Sequence, residues 1–242
     1  MPEKSSLSPI EGAARPRKLL LVTGTGRSGT KYVCFVLRRL GLDVRHESMG
    51  RDGIASWCMA VDVERAPWGV PRSAYDFANV FHQVRHPLAA IASCTTFKDE
   101  SWRFIREHVE WTADECLLLR AAKYWLLWNE RAEAGATWRY RIEDLPLVFP
   151  EFCERLGVDV DHSVLGRVPT DVNTRLRGRP FHLYEHLWER LGLDPSKSGR
   201  RWTAVLGQGA DRPPLSWAAL EAVSSTWADR VRRKAIEYGY TP

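Results

Sequence analysis

Apolar and polar positions follow two rhythms along this chain, and the changes of rhythm mark its elements. Leu19-Leu20-Leu21-Val22 is an unbroken apolar run, the pattern of a strand covered on both faces, and it predicts a strand over about 18–23. Helical spacing takes over from Tyr32 to Leu40 and stops at Gly41, a residue suited to the position just past a helix end. The predicted helix covers about 30–40. Leu42-Asp43-Val44-Arg45-His46 alternates as a second strand, and Asn79-Val80-Phe81-His82-Gln83-Val84 reads as a strong third. Pro87 then stands where a helix would begin.

A long helix is predicted over about 114–134, carrying Leu117, Leu118, Ala121, Tyr124, Trp125 and Trp128, and stopping near Gly135. Thr137 to Ile142 alternates as a strand. Further helices are predicted near 146–156 (stopped by Gly157), near 180–191 and near 217–238, the last N-capped by Ser216 and stopped by Gly239. Residues 47–77 are Gly/Pro-rich and predict irregular structure, and residues 96–112 mix aromatic with charged side chains. Strands alternating with helices predict an α/β fold: a single domain over 18–242 with a central parallel β-sheet, helices on its faces and ligands at the strand carboxyl ends. Residues 1–17 read as a flexible tail.

The turn between the first strand and helix, Thr23-Gly24-Thr25-Gly26-Arg27-Ser28-Gly29-Thr30-Lys31, carries the most chemistry. A glycine-rich strand-to-helix turn allows close backbone approach and presents free N–H groups to an anion. A Walker A loop reads G-x-x-x-x-G-K-[ST], with its lysine on the nucleotide phosphates and its hydroxyl on magnesium. Here Gly24 and Gly29 keep the spacing, but Thr30 and Lys31 follow in inverted order and the loop cation is Arg27. The loop suits a phosphate-bearing ligand and suits Mg·ATP poorly.

A second cation stands at the end of the third strand, in Val84-Arg85-His86-Pro87, with Ser93 eight residues on. A guanidinium at the ligand edge of a sheet, with a hydroxyl nearby, suits a second phosphate group. With these two motifs in order, the chain resembles the sulfotransferases that use 3′-phosphoadenosine 5′-phosphosulfate (PAPS). Arg141-Ile142-Glu143-Asp144-Leu145 is similar to that family's Tyr-Glu-Asp-Leu-type strand end, and the segment from Arg201-Trp202 to Tyr240 is similar to the close of its bacterial members. The resemblance implies a P-loop NTPase-like sulfotransferase fold. It implies that Gly26, Arg27, Ser28, Gly29, Thr30 and Lys31 hold the 5′-phosphosulfate, and that Arg85 and Ser93 hold the 3′-phosphate, with Arg200 and Arg201 beside it. Lys31 and Ile142 depart from the family pattern, Ile142 standing where some members place a tyrosine on adenine.

The acceptor hydroxyl needs a general base. The resemblance implies a Glu soon after the second strand, which is Glu47; His82 and His86 are the alternatives. Arg27 would share in catalysis by neutralising charge on the leaving phosphate. Trp57, Phe97 and Lys98, in the two segments without clear periodicity, are candidates for the acceptor wall. Trp125 and Trp128 fit core positions, and Glu143 and Asp144 fit a role in organising the strand end.

Composition narrows partners more than chemistry. A net charge of +5 and a pI near 9.0 favour anionic ligands, in an amount too small and scattered to imply nucleic acid. Five dispersed cysteines form no zinc pattern and predict reduced thiols. No apolar stretch is long enough to span a membrane, and the polar start of the chain predicts a cytoplasmic protein. The expected partner is a small-molecule or glycan acceptor, with no metal; oligomeric state is not specified. Two rival readings remain at this point: a small-molecule kinase using ATP and magnesium, and a non-catalytic module binding adenine nucleotides or RNA.

Overall fold

The computed structural model describes residues 14–63, 71–168 and 214–241. The predicted tail falls mostly outside them, as do the predicted helix near 180–191 and both Arg200 and Arg201. Among the described residues five strands form one sheet: β1 (Arg17–Thr23), β2 (Val44–His46), β3 (Gly53–Ala55), β4 (Asp76–Val84) and β5 (Trp138–Arg141). Their order is β2-β3-β1-β4-β5, and every neighbouring pair is parallel. The helices are α1 (Thr30–Arg39), α2 (Pro87–Cys94), α3 (Asp99–Arg106), α4 (Leu117–Ala134), α5 (Leu145–Leu156), α6 (Ser163–Arg167), α7 (Trp217–Val223) and α8 (Ser225–Glu237).

Strand alternation sorts these helices onto two faces. Leu20, Val22, Phe81 and Tyr140 turn toward α1, α5 and α6, meeting Val33, Leu37, Phe149, Phe152 and Val164. The intervening positions point the other way. There Val84 joins a core built from α2, α3, α4, α7 and α8, in which Trp57, Phe104, Tyr124, Trp125 and Trp128 are the large members. Both faces of the sheet are covered, which is why β1 reads as a continuous apolar run and why β4 is buried through its last five residues, the polar His82 and Gln83 included. Trp125 and Trp128 are fully buried, as their helical spacing predicts.

Three expectations are corrected. Residues 47–77 are not uniformly irregular: β3 inserts between β1 and β2, pairing Leu21 with Ile54 and Arg45 with Ile54. Parallel neighbours normally need a crossover of a dozen residues or more, yet only 47–52 join β2 to β3. The return is tight enough that a Cβ on Gly50 would lie 2.0 Å from the Asp43 carbonyl oxygen. It is pinned by Asp43 N donating to Asp52 Oδ2 at 2.7 Å and Arg51 N to Asp43 Oδ2 at 2.8 Å. Residues 96–112 contain α3, whose first turn carries Asp99 and Glu100 and whose last carries Arg103 and Arg106, matching the helix dipole. The helix predicted over 217–238 is two helices, because Ser224 is extended and caps α8, its side chain accepting from Trp227 N.

The sheet places two loops together. From β1 the chain runs out through α1 to the β2 edge, whereas β4 lies on the other side of β1 and feeds α2 on the opposite face. The carboxyl ends of β1 and β4 therefore border the crevice where parallel α/β sheets take ligands.

Candidate active site

The loop between β1 and α1 is shaped by two residues in left-handed backbone, Arg27 (φ 73) and Gly29 (φ 97), with Ser28 between them at negative φ. Alternating hands of this kind turn neighbouring N–H groups toward one side, a concavity that fits an anion. Gly29 occupies the N-cap of α1 without a side-chain acceptor over the first turn, so the helix dipole and its leading amides face the same concavity. Thr23, Thr25 and Ser28 are fully buried and Thr30 nearly so.

Two glycines are there for space. A Cβ at Gly24 would lie 2.2 Å from the Gln83 carbonyl oxygen, and one at Gly26 would lie 2.7 Å from Phe97 Cζ and 3.2 Å from the Tyr124 hydroxyl. The loop thus rests on β4 on one side and on an aromatic floor below. Gly26 N donates to Tyr124 Oη at 2.7 Å. The guanidinium of Arg27 lies over the Phe97 ring at 5.0 Å, a cation–π contact.

Arg85, directly after β4, reaches this loop. Its Nη1 donates to the Arg27 carbonyl at 3.0 Å. Both guanidinium charges also act on the buried Cys94 thiol, whose pKa burial pushes up to about 12 while Arg27 and Arg85 pull it back. The structure therefore brings together the two cations that the sequence separates by 58 positions. Ser93 is partly buried in the last turn of α2, its carbonyl accepting from Thr96. Lys31 lies in the first turn of α1, partly exposed.

Glu47 stands at the carboxyl end of β2 in left-handed backbone (φ 57). Its N–H donates to the Ala55 carbonyl at 3.1 Å and its carboxyl accepts from Ser56 Oγ at 2.9 Å. Ser56 is itself fastened to β1, its N–H donating to the Val22 carbonyl at 3.0 Å. The side chain is only 17% exposed, and burial pushes its pKa up to about 8, against the downward pull of the Ser56 hydrogen bond. Burial also holds the Tyr124 phenol well above its ordinary value, with the Glu47 charge adding to the effect.

The histidine alternatives have other surroundings. His82 is buried, with Nε2 3.0 Å from Asn129 Oδ1 and its ring edge-on to Tyr238, and burial lowers its pKa to about 4. His86 N donates to Glu143 Oε1 at 2.8 Å and its ring meets Tyr240. Glu143 also accepts from Tyr240 Oη at 2.9 Å, so it ties the end of β4 to the segment after α8. Ile142 lies against the loop, its Cγ1 3.2 Å from where a Cβ on Gly29 would be.

The acceptor-wall candidates divide. Trp57 is 7% exposed and packs among Phe97, Phe104, Tyr124 and Trp128, with its carbonyl accepting from Trp128 Nε1 at 2.8 Å. It is part of the floor. Phe97 is partly buried beneath Arg27, and Lys98 is exposed at the N-cap of α3. Sequence reasoning did not single out Gln83, Cys94, Tyr124 and Tyr140 as site residues. The available signal was Gln83, which with His82 places two polar residues between Phe81 and Val84 at the end of a predicted strand.

Among the described residues no cluster of His, Cys, Asp or Glu could hold a metal ion, and no helix is long and apolar enough to cross a membrane. No protein-family model matches the sequence, and no curated protein does. Two solved structures are similar to the chain. One is the sulfotransferase domain from the Synechococcus PCC 7002 olefin synthase, at 14% identity and a TM-score of 0.40, covering 89% of this chain and 96% of that one. The other is mouse sulfotransferase SULT7A1 complexed with PAP, at 15% identity and a TM-score of 0.33, covering 65% of this chain and 64% of that one.

Proposed function

We propose that this protein is a sulfotransferase that moves the sulfuryl group of PAPS to the hydroxyl of a small-molecule or glycan acceptor. The observation that carries the reading is the joining of two cationic elements at one crevice: the loop 24–29 and Arg85, hydrogen-bonded at 3.0 Å. A ligand with two separated phosphate groups matches that pair better than one with a single phosphate chain. The residues fit such a group. Thr25 Oγ1 and Ser28 Oγ are buried hydroxyls without a protein partner, and buried hydroxyls of this kind are normally satisfied. Both belong to the loop that ends in the uncapped start of α1, and Arg85 donates to the carbonyl of Arg27 in the same loop.

PAPS supplies an activated sulfuryl group on a good leaving phosphate. Arg27 and the loop amides stabilise the negative charge that grows on the leaving oxygen, the electrostatic strategy of phosphoryl transfer. Arg85 and Ser93 hold the second phosphate and set the ligand's register. Glu47 takes the acceptor's proton in its ionised form. Calorimetric titration with PAP, the desulfated product, tests the reading. Binding of PAP well above that of ATP·Mg²⁺, lost by a factor of at least ten in Arg85→Ala, is expected. Preference for ATP·Mg²⁺, or full PAP affinity without Arg85, would overturn it in favour of a kinase or a binding module.

A further inference from the structure

Three consecutive loop carbonyls are held from the β4–α2 side. Cys94 Sγ donates to Gly26 O at 3.4 Å, Arg85 Nη1 to Arg27 O at 3.0 Å, and Gln83 Nε2 to Ser28 O at 2.7 Å. The last contact is the most closely built. Gln83 is fully buried, and its Oε1 accepts from Tyr140 Oη at 2.5 Å. Ser28 O can only accept, so the Gln83 amide has one orientation that satisfies both partners. Tyr140 is in turn packed on Trp138 at 5.0 Å and Phe152 at 5.7 Å. In a trans peptide the C=O and N–H point in opposite directions. Fixing Ser28 O toward β4 therefore sends the N–H of Gly29 away from β4, across the mouth of the concavity at the start of α1.

We propose that Gln83, oriented by Tyr140, is a positioning residue for the anion site: it holds the Ser28–Gly29 peptide so that the Gly29 N–H is aimed at the bound phosphate group. The proposal rests on the cofactor reading above for the identity of that group. It makes Gln83 and Tyr140 determinants of affinity although neither touches the ligand. It also explains why a buried strand carries a glutamine at its penultimate position rather than an apolar residue, since an apolar side chain would leave Ser28 O unsatisfied and the peptide free to turn.

Two variants and two readouts test it. Gln83→Met keeps the volume and removes the donor; Tyr140→Phe keeps the ring packing and frees the Gln83 amide. The first readout is the ¹H–¹⁵N residual dipolar coupling of Gly29 in the ligand-free protein, which reports the direction of that N–H. The second is PAP affinity by calorimetry. A changed Gly29 coupling is expected in both variants, with PAP affinity lower by about tenfold in Gln83→Met, the worth of roughly one phosphate hydrogen bond. Tyr140→Phe added to Gln83→Met should cost nothing more, because Tyr140 acts through Gln83. Unchanged coupling in both variants overturns the proposal, as does unchanged affinity in a variant whose Gly29 amide has turned. If Gln83→Met does not fold, Tyr140→Phe alone decides by the same criteria. If the wild type binds no PAP, the cofactor reading falls and the Gly29 coupling still decides whether Gln83 positions the peptide.

Discussion

Replacing Glu47 by Gln should make the protein more stable, and by an amount that depends on pH. The carboxyl is 17% exposed, and burial raises its pKa from 4.5 to about 8. Because the folded value lies above the unfolded one, the folded state keeps a proton that the unfolded state releases. Stability therefore falls as pH rises from about 4.5 to about 8 and is level beyond. At 1.36 kcal/mol for each pH unit, the full loss above pH 8 is at most about 5 kcal/mol. Water still reaches part of the side chain, so a loss of ~2–3 kcal/mol is the working figure. Gln keeps an acceptor for Ser56 Oγ and cannot ionise. Melting temperatures of the two proteins should agree near pH 4.5 and differ by roughly 5–10 °C at pH 8.5, given about 2–4 °C per kcal/mol at this size. Taking the difference between proteins at each pH cancels the titrating groups that do not interact with Glu47, and His46, whose Nε2 lies 3.6 Å from Glu47 Oε1, is the neighbour that does. A gap that is the same at both pH values would refute the argument that Glu47 is held neutral by burial.

The same carboxyl sets the expected pH dependence of turnover. If Glu47 is the base, kcat/KM should rise close to tenfold per unit from pH 6 to about 8 and then flatten; a flat profile over that range would remove Glu47 from the role. Gly24→Ala should cost on the order of 2–4 kcal/mol, because its Cβ would meet a backbone oxygen of β4 at 2.2 Å. Urea denaturation would measure this, and a loss below about 0.5 kcal/mol would show that β1 and β4 can part there.

Much of the framework was legible because its signals are local. The run Leu19 to Val22, the stop at Gly41 and Pro87 at a helix start each act within a few residues, and β1, α1 and α2 follow them. β3 was not legible. It is three residues long, begins with Gly53, and exists because β1 and β2 both pair with it. α3 was obscured by its mixture of Trp, Phe and charge, which makes sense only against the aromatic core that Phe104 and Ile105 enter. At the site, the loop wording and the Arg85 spacing pointed to one place, and the fold joins them. The bracing of that loop depends on partners 55 to 98 residues away, namely Gln83 and Tyr124, and no local pattern encodes such distances. The raised pKa of Glu47 was equally hidden, since its burial depends on Ser56 following a strand the sequence did not reveal.

Arg27 and Glu47 are the two non-glycine residues with positive φ among the described residues, and they are also the two given catalytic roles in the proposed reaction. Backbone of that hand costs an ordinary side chain of order 1–3 kcal/mol. Glycine carries no such cost. A library of this gene sorted for heat resistance alone would consequently drift toward glycine at positions 27 and 47. The survivors would be sturdier molecules lacking both a loop cation and a buried carboxyl. Under the roles proposed for Arg27 and Glu47, fitness for folding and fitness for the reaction pull in opposite directions at these two positions.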